Sequence, residues 1–184
     1  MEPFETSWPA NERHQSVISN TTVLSNFAAV GALDKLRDLY KEVYLSTEVY
    51  TEIERGLEEG YTFYSGIENF LYPVREGGWL RLTSLSGDRE IEIFSDMPGR
   101  LHAGEASSLA IAQHRGWLFL TDDKAARRQA GARMAIVSGT LGCLILGIER
   151  NLWSLSQANE WLEQIIRAGF HSPVADLSAL IAKS

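Results

Sequence analysis

Four short apolar runs, "SVIS" (16–19), "EVYLS" (42–46), "WLFLT" (117–121) and "MAIVSG" (134–139), are each followed at once by a segment with helical periodicity. That alternation constrains the chain more than any other feature. Runs this short and this apolar suit strands covered on both faces, and strands alternating with helices give a parallel sheet with helices on each side. In such sheets ligands bind at the carboxyl ends of the strands. Asn20 and the Asp122–Asp123 pair both stand at such ends.

The helices between these runs are legible from spacing. Val23, Leu24, Phe27 and Val30 repeat at helical intervals until Gly31 punctuates them before a second short helix. "TEVYTEIERGLEEG" reads as a helix capped by Ser46 or Thr47, and "HAGEASSLAIAQHRG" as one ended by Gly116. "DDKAARRQAG" places acids first and basics later, with Gly131 as its terminator, as the helix dipole favours. "TLGCLILGIERN" reads as a buried helix, and Trp161, Leu162, Ile165 and Ile166 form an amphipathic stripe near the end. The reading divides the chain into a polar arm (1–15), an α/β domain (16–150) and C-terminal helices (151–184) that pack on it.

Residues 60–100 fit the alternation less well. They carry Tyr61, Phe63, Tyr64, Phe70, Tyr72 and Trp79, a strand-like "WLRLTSL", and the breakers Gly77, Gly78, Pro98 and Gly99. They read as an excursion with some helix and strand of its own. Six aromatics exceed what a connection needs, so part of this segment is expected to bury against another chain, as in a homodimer, or a partner.

Composition closes off several classes. A 184-residue chain that is 45% hydrophobic and 22% charged is long enough for one well-buried core. The single cysteine, Cys143, leaves no disulfide framework and suits a reducing, cytoplasmic setting. "LGCLILGI" falls far short of the roughly 20 apolar residues of a membrane span, and "MEPFETSWPANERHQ" lacks signal architecture. A net charge of −7 argues against a general polyanion-binding surface while leaving room for a local basic patch.

The chemistry sits in the acids. Asp122 and Asp123 either cap and charge-stabilise a helix start, worth roughly 0.5–2 kcal/mol, or contribute to a site. Glu52 shares the inward stripe of Val49, Ile53 and Gly56, where a buried unpaired charge is costly; the alternative is a border glutamate reaching outward. Glu105 opens a helix whose core stripe is Ala106, Leu109, Ala110 and Gln113, so the dipole alone could account for it. Together these four carboxylates come from the starts of three helices. Converging carboxylates raise one another's pKa values unless a cation relieves them. Hard oxygen donors without a His/Cys cluster favour Mg²⁺ or Mn²⁺.

The succession "VISNTTVLSNF", "VYLSTEVYTEI", "LHAGEASSLAIA", "LFLTDDKAAR" and "MAIVSGTLGCL" resembles the PIN domain, in particular the VapC-like ribonuclease toxins. Each motif alone is weak; five in order over residues 16–150 are specific, and the tail resembles the closing helices of one VapC-related subgroup. The resemblance implies a three-layer α/β/α sandwich and a metal-dependent endoribonuclease, the toxin-like member of a toxin–antitoxin pair. It carries catalytic roles onto Glu52, Glu105 and Asp122 or Asp123. Metal-ligand roles fall on Asn20, Glu105 and the same two aspartates. Asn20 departs from the family pattern, which has an aspartate there. Its amide can coordinate a cation or cap a helix, but it brings no charge.

Lys124, Arg127 and Arg128 beside the acids, and Ser138 and Thr140 at another strand end, are candidate RNA phosphate contacts. Each also has an ordinary structural role open to it, as a solvated helix face or a helix cap. The rival expectation is a catalytically weakened PIN-like module that works by binding RNA or protein.

Overall fold

The computed structural model describes residues 15–181; the expected polar arm, apart from Gln15, lies outside them. The elements run β1 (Val17–Ser19), α1 (Thr21–Ala29), α2 (Asp34–Tyr40), β2 (Val43–Ser46), α3 (Thr47–Glu58), β3 (Leu71–Tyr72), β4 (Leu80–Thr83), α4 (Gly87–Ser95), α5 (Ala103–Arg115), β5 (Leu118–Leu120), α6 (Lys124–Ala132), β6 (Val137–Ser138), α7 (Thr140–Glu149), α8 (Leu155–Arg167) and α9 (Ser178–Ile181). Two short 3₁₀ turns, Thr62–Tyr64 and Ile67–Phe70, lie between α3 and β3.

All six strands join one parallel sheet in the order β3-β4-β2-β1-β5-β6. The two-residue side-chain period splits the interior into two cores. Val17, Leu118 and Leu120 face a larger core shared with Phe27, Leu36, Leu144 and Leu162, whereas Ile18 and Phe119 face a smaller one with Leu109, Ile111, Ala126 and Ala130. The sheet is therefore covered by α1, α2, α7 and α8 on one face and by α5 and α6 on the other. This is the three-layer α/β/α arrangement expected of the alternation.

Residues 60–100 extend the sheet rather than leave it. β4 pairs with β2 from Val43↔Leu80 to Ser46↔Thr83, and β3 pairs with β4. A two-residue strand such as β3 carries too little pattern to be seen in a sequence. Half of the aromatics are used internally: Tyr64 and Trp79 are buried in the larger core and Phe70 packs against it, while Tyr61, Phe63 and Tyr72 remain exposed. Two further deviations follow: α6 continues past Gly131 to Ala132 and ends where Met134 takes a positive φ of 54°, and the strand expected over 134–139 shrinks to Val137–Ser138.

Across this region an ion pair ties α4 and β4 to α5. Arg115 donates from Nε to Glu90 Oε1 at 2.7 Å and from Nη2 to Oε2 at 2.9 Å, and from Nη1 to Thr83 Oγ1 at 2.9 Å. The Glu90 side chain is only 1% exposed. Burial pushes its carboxyl up, but Arg115 and the Ser86 N–H outweigh that and hold it below the usual range. Among the described residues, no helix is long and apolar enough to cross a membrane.

Candidate active site

β1 and β5 are neighbours, yet the chain leaves β1 toward β2 and leaves β5 toward β6, in opposite directions along the sheet. A crevice opens outside the strand ends at such a switch point. Beside it lies a cleft of about 570 Å³ lined by Asn20, Thr21, Glu52, Arg55, His102 and Glu105, among others.

Asn20 follows β1 and is 1% exposed. Its Oδ1 accepts from the Thr22 amide at 3.1 Å and from Thr22 Oγ1 at 2.8 Å, which caps α1. Its Nδ2 donates to Thr121 Oγ1 at 2.7 Å, which links the end of β1 to the residue after β5. Glu52 comes from α3, where Val49, Ile53 and Gly56 are the buried stripe. Its carboxylate reaches the start of α5: Oε1 accepts from the Gly104 amide at 3.0 Å and Oε2 from Thr21 Oγ1 at 2.5 Å. Glu105, 8% exposed, accepts on Oε2 from the His102 amide at 3.1 Å. Two carboxylates thus share the amino end of α5, which the helix dipole favours.

The two aspartates do different work. Asp123 caps α6, its Oδ1 accepting from the Ala126 amide at 2.7 Å. Asp122 turns toward α7 and accepts from the Thr140 amide at 2.9 Å, from Thr140 Oγ1 at 2.5 Å and from Asn26 Nδ2 at 3.0 Å. Its own amide donates to Thr22 Oγ1 at 3.2 Å, so it is wired to the Asn20 cap from behind.

Electrostatics distinguish them further. Burial pushes the Glu105 carboxyl above its ordinary range; the charges of Asp123 and Glu52 add to this, against the opposing His102 amide and the His102 charge. Burial also raises Asp122, but the bonds from Thr140, the charge of Arg127 and the Asn26 amide pull the other way. Among the described residues none of the four acids forms a salt bridge.

The structure therefore gathers Asn20, Glu52 and Glu105 at one cleft, with Asp123 close enough to perturb Glu105. The sequence candidates Ser138, Thr140, Lys124, Arg127 and Arg128 do not line that cleft. Thr140 is buried as a partner of Asp122, and Arg127 donates to the Thr121 carbonyl at 3.0 Å. Lys124 and Arg128 are exposed on α6, and Ser138 is half-buried at the end of β6. Sequence reasoning passed over Thr21, Asn26 and Arg55. Of these only Arg55 carried a signal, standing three residues after Glu52 and so on the same side of its helix.

A family model described as a PIN domain matches residues 16–184. The chain belongs to the PIN-domain family. No curated protein matches it. PIN domains are generally nucleases that use divalent metal ions. The donor set of this PIN domain suits such an ion in kind, since its carboxylate and amide oxygens are hard ligands and burial holds the Glu105 carboxyl above its ordinary range despite the opposing His102. In arrangement it is looser: Asp122 and Asp123, expected around the same pocket, do not line the cleft, and among the described residues no three His, Cys, Asp or Glu side chains stand together as a metal-holding group.

Proposed function

We propose that this PIN domain is a Mg²⁺- or Mn²⁺-dependent endoribonuclease that hydrolyses RNA phosphodiesters at the cleft between α3 and α5. The observation that supports it most is Glu105, 8% exposed at the cleft, its carboxyl held above the ordinary range by burial and, less, by the charges of Asp123 and Glu52, with no salt bridge among the described residues. Glu105 and Asp123 would hold the ion, with Asn20 beside them. When bound, such an ion supplies a more acidic water and neutralises charge on the phosphate. Glu52, fixed from both of its oxygens, orients what enters the cleft. Arg55 and His102 are exposed on the same cleft, and Arg55 has no salt bridge among the described residues. Both can therefore meet the phosphates flanking the scissile bond. Lys124 and Arg128 serve the RNA further along, on α6.

We place the activity in a cytoplasmic toxin–antitoxin pair, with a protein antitoxin and a homodimer as partners. Exposed Tyr61 and Phe63 support a protein contact. So does the apolar groove of about 330 Å³ lined by Ala28, Leu33, Phe63, Ile67 and Phe70. Cleavage of a single-stranded RNA with Mn²⁺, with EDTA, and by Glu105→Gln tests the enzyme. Metal-dependent cutting that Glu105→Gln abolishes is expected; equal cutting by both proteins would refute the assignment.

A second reading has its own support. The Asn20 side chain is committed to Thr22 and Thr121, and Asp122 to Thr140 and Asn26. Such commitments favour a weakened site acting through RNA or protein binding. That reading expects RNA retention in EDTA and no cleavage with any divalent ion.

A further inference from the structure

α5 begins with a glycine where helix propensity would prefer almost anything else. Gly104 is the second residue of α5, and its φ is not in the left-handed region, so no turn demands a glycine there. Alanine at a helical position is ordinarily the more stable choice. The reason for glycine lies in the neighbouring helix. A Cβ built on Gly104 would stand 2.7 Å from Glu52 Oε2, 2.8 Å from Oε1 and 2.9 Å from Cδ. Contacts that short force the carboxylate to move, and moving it gives up the two hydrogen bonds that hold it. Glu52 Oε1 is held by the Gly104 amide at 3.0 Å and Oε2 by Thr21 Oγ1 at 2.5 Å. The carboxylate therefore lies flat against the backbone of α5, where a side chain would otherwise be.

We propose that Gly104 is a positioning residue: its bare α-carbon and amide form a seat that fixes the Glu52 carboxylate in the cleft, with Thr21 locking the second oxygen. The seat couples three elements. Thr21 opens α1 directly after Asn20, Glu52 projects from α3, and Gly104 precedes Glu105 on α5. The spacing of Glu52 from Glu105 is thus set through the main chain, one residue away. Tyr64 reinforces the α1 side, its hydroxyl lying against Ser25 Oγ and donating to the Thr21 carbonyl at 3.5 Å. The claim that the seat serves catalysis rests on the nuclease reading; the seat itself does not.

The test is a cycle of wild type, Gly104→Ala, Glu52→Ala and the double variant, followed by thermal unfolding and by RNA cleavage with Mn²⁺. With Glu52 present, Gly104→Ala is expected to lower Tm. With Glu52→Ala the space is free, and the same glycine replacement is expected to raise Tm, as helix propensity alone dictates. In cleavage, Gly104→Ala is expected to lower kcat on the order of 100-fold, as for a catalytic group displaced by about an ångström, with KM little changed. Glu52→Asp, whose shorter arm withdraws the carboxylate from the added methyl, is expected to recover part of the loss in the Gly104→Ala background. Tm shifts of the same sign in both Glu52 backgrounds would overturn the seat, as would a double variant that fails to fold. A wild type that cuts no RNA removes the nuclease reading and leaves the Tm cycle to decide the seat.

Discussion

Replacing Asn20 by aspartate adds one negative charge to the cleft while changing almost no atoms. The capping geometry survives: both residues cap equally well. The oxygen that accepts from the Thr22 amide at 3.1 Å is retained. The other position must change from donor to acceptor toward Thr121 Oγ1, now 2.7 Å away. The Thr121 hydroxyl can turn to donate while still accepting from the Asp123 amide at 3.1 Å. The hydrogen-bond balance is therefore near zero, and the effect is electrostatic. The new carboxylate would be 1% exposed, in a neighbourhood where Glu105 is already raised by Asp123 and Glu52. A carboxyl raised by one to two pH units costs about 1.4–2.8 kcal/mol when ionised. In a chain of this length that lowers Tm by roughly 3–10 °C. The sign with pH follows: a folded-state carboxyl above its unfolded value destabilises the fold as pH rises through the carboxylate range. The variant should therefore match wild type near pH 4 and fall below it at pH 7.5. A divalent ion reverses the deficit, since ligand at about 100 times its Kd contributes roughly 2.7 kcal/mol. Mn²⁺ titration by calorimetry should show about ten-fold tighter binding, equivalent to about 1.4 kcal/mol, with Glu105→Gln as the silent control. Equal Tm at pH 7.5 and equal Mn²⁺ affinity, with binding lost in the control, would show that Asn20 caps a helix and does nothing for a metal.

Without metal, Glu105→Gln should make Tm less dependent on pH between 4 and 8. The raised carboxyl loses stability as pH rises through its range, and the amide does not titrate. Arg115→Met leaves Glu90 buried and unpaired and should cost about 3–5 kcal/mol in urea unfolding; adding Glu90→Leu should recover most of that. Arg55→Gln should raise KM for RNA and flatten the salt dependence of binding by anisotropy, with kcat close to wild type. Tyr61→Ser with Phe63→Ser should lower the solution mass by light scattering if these rings bury against a second copy; an unchanged dimer mass would place the interface elsewhere.

Much of this fold was legible because its strands are buried on both faces. "SVIS", "EVYLS" and "WLFLT" needed only continuous apolarity and a following cap, and Asn20, Ser46 and Asp123 are those caps. β3 was not legible: Leu71 and Tyr72 acquire strand character only from β4 beside them. The Glu90–Arg115 pair joins residues 25 apart on different elements, a contact that neither helix encodes by itself. At the site, periodicity placed Glu52 on an inward stripe but could not say what it met there. Asp122 and Asp123 looked equivalent in sequence. They diverge because one side chain follows the strand toward α7 and the other turns back to cap α6.

The sheet ends at both sides in strands of two residues, β3 at Leu71–Tyr72 and β6 at Val137–Ser138. An unpaired edge is a template for another polypeptide, and its hazard grows with its length. Two residues offer too few free amides and carbonyls to seed an intermolecular ladder, and Arg81 lies over the Tyr72 ring at 3.9 Å, crowding one of those rims. Such blunt margins keep edge-to-edge pairing between copies out of reach. Copies that meet have to do so through side chains on helices and turns, where a few substitutions can create or abolish the contact without touching the central strands.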